Sequence, residues 1–149
     1  ETDGENIIAF GPSLTTAFSA PDCETLTEAT QAALRWQFKG GRPNSFAAAE
    51  DVILATHARA VKDICAAHPD WASKLDMIGF HGQTVLHHPP TPQQKGQTLQ
   101  LGDGQRLAEA TGIPVYYNFR SADVARVADA ADARIEIGVV LATLGGGVG

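Results

Sequence analysis

Apolar residues recur three and four apart through the first half of this chain, then give way to short apolar runs that each end on glycine and polar side chains. Residues 25–38 follow Pro21 and Asp22, place Leu26, Ala29, Ala33, Leu34 and Trp36 at broadly helical spacing, and stop at Gly40 and Gly41, which predicts a first helix. Asn44 or Ser45 can cap a second, in which Ala49, Val52, Ile53, Thr56, Ala60, Val61 and Ile64 form an apolar stripe until His68 and Pro69. That stripe should face a sheet. Ahead of both helices, residues 6–10 and 14–18 flank Gly11 and Pro12 and predict a hairpin.

Residues 75–80, 97–101 and 113–117 read as strands, and 105–111 as a helix closed by Gly112. Strand, helix, strand in this order predicts a right-handed parallel crossover. The Pro-rich link HHPPTPQQKGQ cannot be helical and is expected as an exposed loop. Residues 122–133 are Ala/Asp-rich and helix-permissive. A β-branched run over 135–144 then ends in GGGVG, which suits close approach of backbone to a ligand. No internal repeat is visible, and the class expected is α/β.

Composition narrows the function classes. With 149 residues, 44% hydrophobic and 19% charged, the chain can bury one core, so a single globular domain is expected. A net charge of -6 and no Lys/Arg cluster argue against nucleic acid or an anionic membrane as partner. Cys23 and Cys65 are far apart in sequence and form no metal-ligand spacing, so neither a disulfide framework nor a zinc site is indicated and a reducing cytoplasm fits. The amino terminus lacks a signal-peptide pattern, and no apolar stretch approaches the roughly 18 residues that span a bilayer. The opening ETDGENIIAF begins without Met, and the chain is expected to be truncated.

The polar residues with chemistry sit at the strand exits. In HGQT, Gly82 permits a turn while His81, Gln83 and Thr84 offer donors and acceptors; the tetrapeptide could hold a polyhydroxylated ligand or be a turn that satisfies its own backbone. A metal site from His81, His87 and His88 is disfavoured, because adjacent histidines on an extended segment point to opposite sides and no carboxylate has matching spacing. In GDG, Asp103 is expected to cap the helix that follows; phosphate binding there is the weaker reading, since neither GxGxxG nor GxxxxGK[ST] is present. After the third strand, Arg120 could clamp an anion. Asp123 could be a general base, an N-cap or a partner of Arg120. Trp36, Phe38, Trp71 and Phe80 are expected in packing.

In order, GFHGQTVLHHP, TLQLGDGQRLAEATGIPV and YNFRSADVA resemble the first half of the anhydro-N-acetylmuramic acid kinase family, strongly over residues 78–125 and more loosely over 6–64. The resemblance implies an actin-like, RNase H-type ATPase fold: a mixed sheet flanked by helices, in two α/β domains with ATP and sugar in the cleft between them. It implies ATP and Mg²⁺ as cofactors, cleavage of a 1,6-anhydro bond with phosphorylation of the 6-oxygen in peptidoglycan recycling, and a homodimer. By resemblance His81, Gly82, Gln83, Thr84 and Arg120 lie on the sugar side, and Asn118 falls where the family has Asp before Phe-Arg, a position expected to supply the catalytic base. An amide cannot take that proton, so Asn118 would hydrogen-bond water or sugar, and Asp123 is a differently placed substitute.

The family's phosphate loop would precede Glu1, and its Gly-Gly-Gln-Gly-Ala-Pro stretch is absent after Ala125. Residues 1–149 are therefore expected to form part of a first, sugar-side domain with a poorly matched tail at 126–149, inactive in isolation. Two other readings share the pattern. One is a non-catalytic carbohydrate-binding or regulatory domain; the other is a different actin-like sugar kinase or phosphatase.

Overall fold

The computed structural model describes residues 11–119 and the backbone of 139–142. Helix α1 (Ala20–Trp36) begins five residues before the predicted start, because Ser19 and Asp22 form a capping box. Ser19 Oγ accepts from the Asp22 amide at 3.3 Å, and Asp22 Oδ2 accepts from the Ser19 amide at 3.1 Å. The Ser19 hydroxyl and then its backbone N–H, both bonded to the carboxylate, hold Asp22 below the ordinary aspartate pKa. Helix α2 (Ser45–Ala67) starts as expected, with Asn44 at the cap position but no side-chain hydrogen bond from it. Ala29 and Ala33 of α1 are fully buried, and their small side chains let α1 lie close against α2.

A single helical turn, α3 (Pro69–Ala72), follows, with Pro69 in its first position; the apolar pattern did not signal it. Strands β1 (Met77–Phe80), β2 (Gln83–His88) and β3 (Gln97–Leu101) come next, then α4 (Gly104–Thr111), β4 (Val115–Tyr117) and β5 (Val139–Ala142). Asp103 caps α4, accepting from the Gln105 and Arg106 amides at 2.9 and 3.2 Å, and Gly112 closes it in the left-handed region at φ 72°. Among the described residues there are two sheets, β4-β1-β5 and β2-β3. The first is mixed: β4 runs parallel to β1 and β5 antiparallel to it.

Three sequence expectations need correction. Residues 14–18 form no strand, and 6–10 lie outside the described residues, so the amino-terminal hairpin is not seen; instead Gly11 rests near the Trp71 indole. Residues 83–84, read as part of a turn, and 87–88, read as the start of a loop, belong with 85–86 to a strand: β2 pairs antiparallel with β3, leaving only the stretch around the Thr91–Gln94 bridge as a connecting turn. Histidines and glutamine diluted its apolar signal. Finally, β3-α4-β4 is not a crossover within one sheet. The chain leaves β3 in the small sheet, and β4 pairs parallel with β1 in the other.

The core lies where α2 and α4 meet both sheets. Phe46 and Ile53 from α2, Ile78 from β1, Leu101 from β3 and Leu107 from α4 are fully buried together, each contributing about 1.5–3 kcal/mol by removal from water. Phe80 is buried with them, while Trp36 and Phe38 pack partly buried against the cluster, as expected of the aromatics.

Candidate functional site

Parallel pairing brings two of the polar motifs to one edge. The last register pair of β1 and β4 is Phe80 with Tyr117, so His81 and Asn118 leave the sheet side by side at its carboxyl edge. The β3 exit joins them through three glycines. A Cβ on Gly82, which has φ 67°, would collide with the Leu101 carbonyl oxygen. One on Gly102 would lie 2.6 Å from Phe80 Cζ, and one on Gly104 would run into the Tyr117 ring. Absence of side chains at these positions lets the ends of β1, β3 and β4 close on one another. Ligands in α/β proteins bind outside such carboxyl ends.

On this edge the polar groups are unevenly satisfied. Gln83 Oε1 is buried and has no hydrogen-bond partner, an acceptor that costs free energy unless a donor arrives. Thr84 sits opposite Gln100 across the β2-β3 pair, and a register shift between Thr84 and Leu86 marks a bulge at Val85. Gln100 Nε2 donates to Thr84 Oγ1 at 3.2 Å and to Thr98 Oγ1 at 2.7 Å. Asn118 is exposed with φ 61°, a backbone state that asparagine tolerates better than most residues. Arg120 and Asp123 lie outside the described residues. The structure thus brings His81, Gly82, Gln83, Thr84 and Asn118 to neighbouring strand ends. Among the described residues no group of three His, Cys, Asp or Glu is placed to hold a metal ion, and no helix is long and apolar enough to cross a membrane.

One buried histidine escaped the sequence reading. His57 of α2 is 6% exposed, its ring meets Phe80 edge-on at 5.2 Å, and Nδ1 lies 2.7 Å from the Ile53 carbonyl. A carbonyl only accepts, so Nδ1 carries the proton and the neutral ring keeps Nε2 as an acceptor. Its place between Ile53 and Val61 on the buried stripe was the signal available: an apolar helix face interrupted by one imidazole.

Burial, and more weakly the nearby His81, depress the His57 pKa below 6.5, while the Ile53 hydrogen bond opposes them. Because the unfolded ring binds a proton more readily than the folded one, this contribution to stability is complete above pH 6.5. It declines as pH falls from there toward the depressed folded value. Urea unfolding across that range should show the decline, at most about 1.4 kcal/mol per pH unit for one group. His57→Gln should flatten it; an unchanged pH profile in that variant would discard the assignment.

An α/β unit with a mixed sheet and polar groups at its strand ends has the layout in which α/β proteins take up ligands. Comparison with known proteins gives the family: the model for "Anhydro-N-acetylmuramic acid kinase" matches residues 37–132. The curated anhydro-N-acetylmuramic acid kinase of Phenylobacterium zucineum is 46% identical over 125 residues, covering 84% of this chain and 34% of its own length. Anhydro-N-acetylmuramic acid kinase 2 of Jannaschia sp. is 43% identical over 83% of this chain and 33% of its own. The Caulobacter vibrioides relative is 39% identical over 84% and 34%. This chain belongs to the anhydro-N-acetylmuramic acid kinase family, and it spans about a third of the length of the curated relatives it matches.

Proposed function

We propose that this chain supplies the sugar-side wall of a cytoplasmic kinase of actin-like fold, acting on anhydro-N-acetylmuramic acid with ATP in peptidoglycan recycling. The observation that carries this reading is the orphaned Gln83 Oε1 at an edge where the ends of β1, β3 and β4 close together. A sugar hydroxyl donating there would relieve its cost. His81, Thr84 and Arg120 are assigned to further sugar contacts. Gly82 keeps the strand ends close together, and Gln83 and Thr84, which project to opposite faces of β2, would reach the sugar from either side of that end.

In the reaction water attacks the anomeric carbon, the bond from that carbon to the 6-oxygen breaks, and the 6-oxygen takes the terminal phosphoryl group of ATP as its bond to the β-phosphate breaks and ADP leaves. The proton lost by water must go to a base. Asn118 cannot be that base, since an amide does not accept the proton; its role is to orient water or sugar by hydrogen bonding. A carboxylate must serve instead, either Asp123 or one from the larger part of the protein. ATP brings the phosphoryl group, and Mg²⁺ would neutralise its charge; among the described residues no group of three His, Cys, Asp or Glu is gathered to hold that ion.

The test uses the full-length protein with ATP, Mg²⁺ and the anhydro-sugar in ¹⁸O-labelled water. A 6-phosphorylated sugar with the label at the anomeric carbon is expected, and Gln83→Leu should raise the sugar KM about tenfold by leaving a ligand donor unpaired. No phosphorylated sugar in the wild type overturns the kinase reading. Sugar binding without ATP turnover would favour a non-catalytic carbohydrate-binding domain, the reading that Asn118 motivates.

A further inference from the structure

We infer that Gln100 is a positioning residue that fixes which way the Thr84 hydroxyl points, making it a donor to a ligand oxygen that carries no hydrogen. The inference rests on the sugar-side reading of the β2 edge, and it deepens that reading by stating what Thr84 recognises. A hydroxyl has one hydrogen and two lone pairs, and left alone it rotates to suit any neighbour. At Thr84 it is not left alone.

Gln100 Nε2 has two hydrogens, and two hydroxyl oxygens lie within reach of it, Thr84 Oγ1 at 3.2 Å and Thr98 Oγ1 at 2.7 Å. Each hydroxyl therefore accepts from the amide and commits a lone pair to it. The hydrogen of Thr84 must then point away from Gln100. The strand register enforces this arrangement: Thr84 pairs with Gln100 and His87 with Thr98, so these four side chains share one face, while Leu86 with Leu99 and Gln83 with Leu101 share the other. The bulge at Val85 is what lets Thr84 and His87, three residues apart on β2, share that face; without the extra residue Leu86 would stand opposite Thr98.

Thr84, Thr98 and Gln100 are all half-buried, so the network is shielded enough to hold one orientation and open enough to meet a ligand. The contact so prepared prefers an ether, carbonyl or carboxylate oxygen to a hydroxyl that would itself have to donate. Gln100 need not touch the ligand. Its effect passes through Thr84.

Replacing the amide with a carboxylate reverses the polarity. In Gln100→Glu both hydroxyls donate inward, and Thr84 turns lone pairs outward. The experiment measures steady-state kinetics and calorimetric binding of anhydro-N-acetylmuramic acid to the full-length protein for wild type, Gln100→Glu, Thr84→Val, the double variant and Gln100→Met. Gln100→Glu should raise the sugar KM and Kd about tenfold, with kcat and the KM for ATP unchanged. In the Thr84→Val background it should add nothing, because the hydroxyl it misdirects is gone. Gln100→Met keeps the length of the side chain but frees the hydroxyl to rotate, and should fall between wild type and Glu.

Losses that add in the double variant, or an unchanged sugar KM in both Gln100 variants, overturn the inference and leave the sugar-side reading standing. A wild type that does not bind the sugar overturns both.

Discussion

Gly82→Ala is expected to destabilise the full-length protein by about 3 kcal/mol or more, a large share of the roughly 5–15 kcal/mol that a domain has in total. Two costs add. The left-handed backbone at φ 67° disfavours any residue with a Cβ by about 1–2 kcal/mol, and here the new methyl would collide with the Leu101 carbonyl oxygen. That neighbour is backbone of β3 and cannot swing aside as a flexible side chain would. Gly112 provides the control: its φ of 72° is almost the same, but nothing lies within 4 Å of where a Cβ would stand. Gly112→Ala should therefore lose only the conformational part, about 1 kcal/mol. Denaturant midpoints of the two variants measure the difference, and equal losses would mean that the approach of Gly82 to Leu101 is not a constraint.

Phe46→Ala should cost about 3–5 kcal/mol, the range for deleting a large ring from a closed core. Phe46 is fully buried at the start of α2, meets Trp36 edge-on at 5.8 Å, and has the Arg42 guanidinium 5.1 Å above its ring while Arg42 pairs with Glu50. Removing it takes a shared partner from α1 and α2 at once. Because it lies at the helical end of the core and not on the β1 exit, the sugar KM of the folded fraction should stay near that of the wild type. Thermal unfolding with parallel kinetics tests both statements; a loss below about 1 kcal/mol would show that the helices pack without it.

Helices were easier to read from this chain than sheets, and the reasons are local. The α2 stripe from Ala49 to Ile64 repeats a single-face pattern that only a helix satisfies, and the Asp103 cap with Gly112 brackets α4 from both ends. Strand β2 was hidden because Gln83, Thr84, His87 and His88 outnumber its apolar residues, and the Val85 bulge breaks the alternation that would have revealed it. Pairing was hidden for a different reason: whether β4 lies beside β3 or β1 depends on how distant elements pack together, and that is not written in any one segment. The start of α1 was misplaced because the Leu26 periodicity was followed while the Ser19–Asp22 box, three residues apart, was passed over.

Candidate site residues were legible as types more than as relations. HGQT and Asn118 stood out as polar groups after apolar runs, and the β1-β4 register does set His81 beside Asn118. Gln100 and His57 were missed because their meaning lies in contacts across strands and between a helix and a sheet. A glutamine in TLQLG acquires significance only when Thr84 is found opposite it.

The glycine contacts also bear on how this family could change its substrate. Positions 82, 102 and 104 join the two sheets at the very place where the ligand is expected, so a mutational screen for lost binding would mostly recover unfolded protein from them. Thr84 carries no such structural duty, whereas Asn118, at φ 61°, is held to the few residues that accept a left-handed backbone. New specificity is therefore easiest to evolve by exchanging the Thr84 side chain above an unaltered glycine seam.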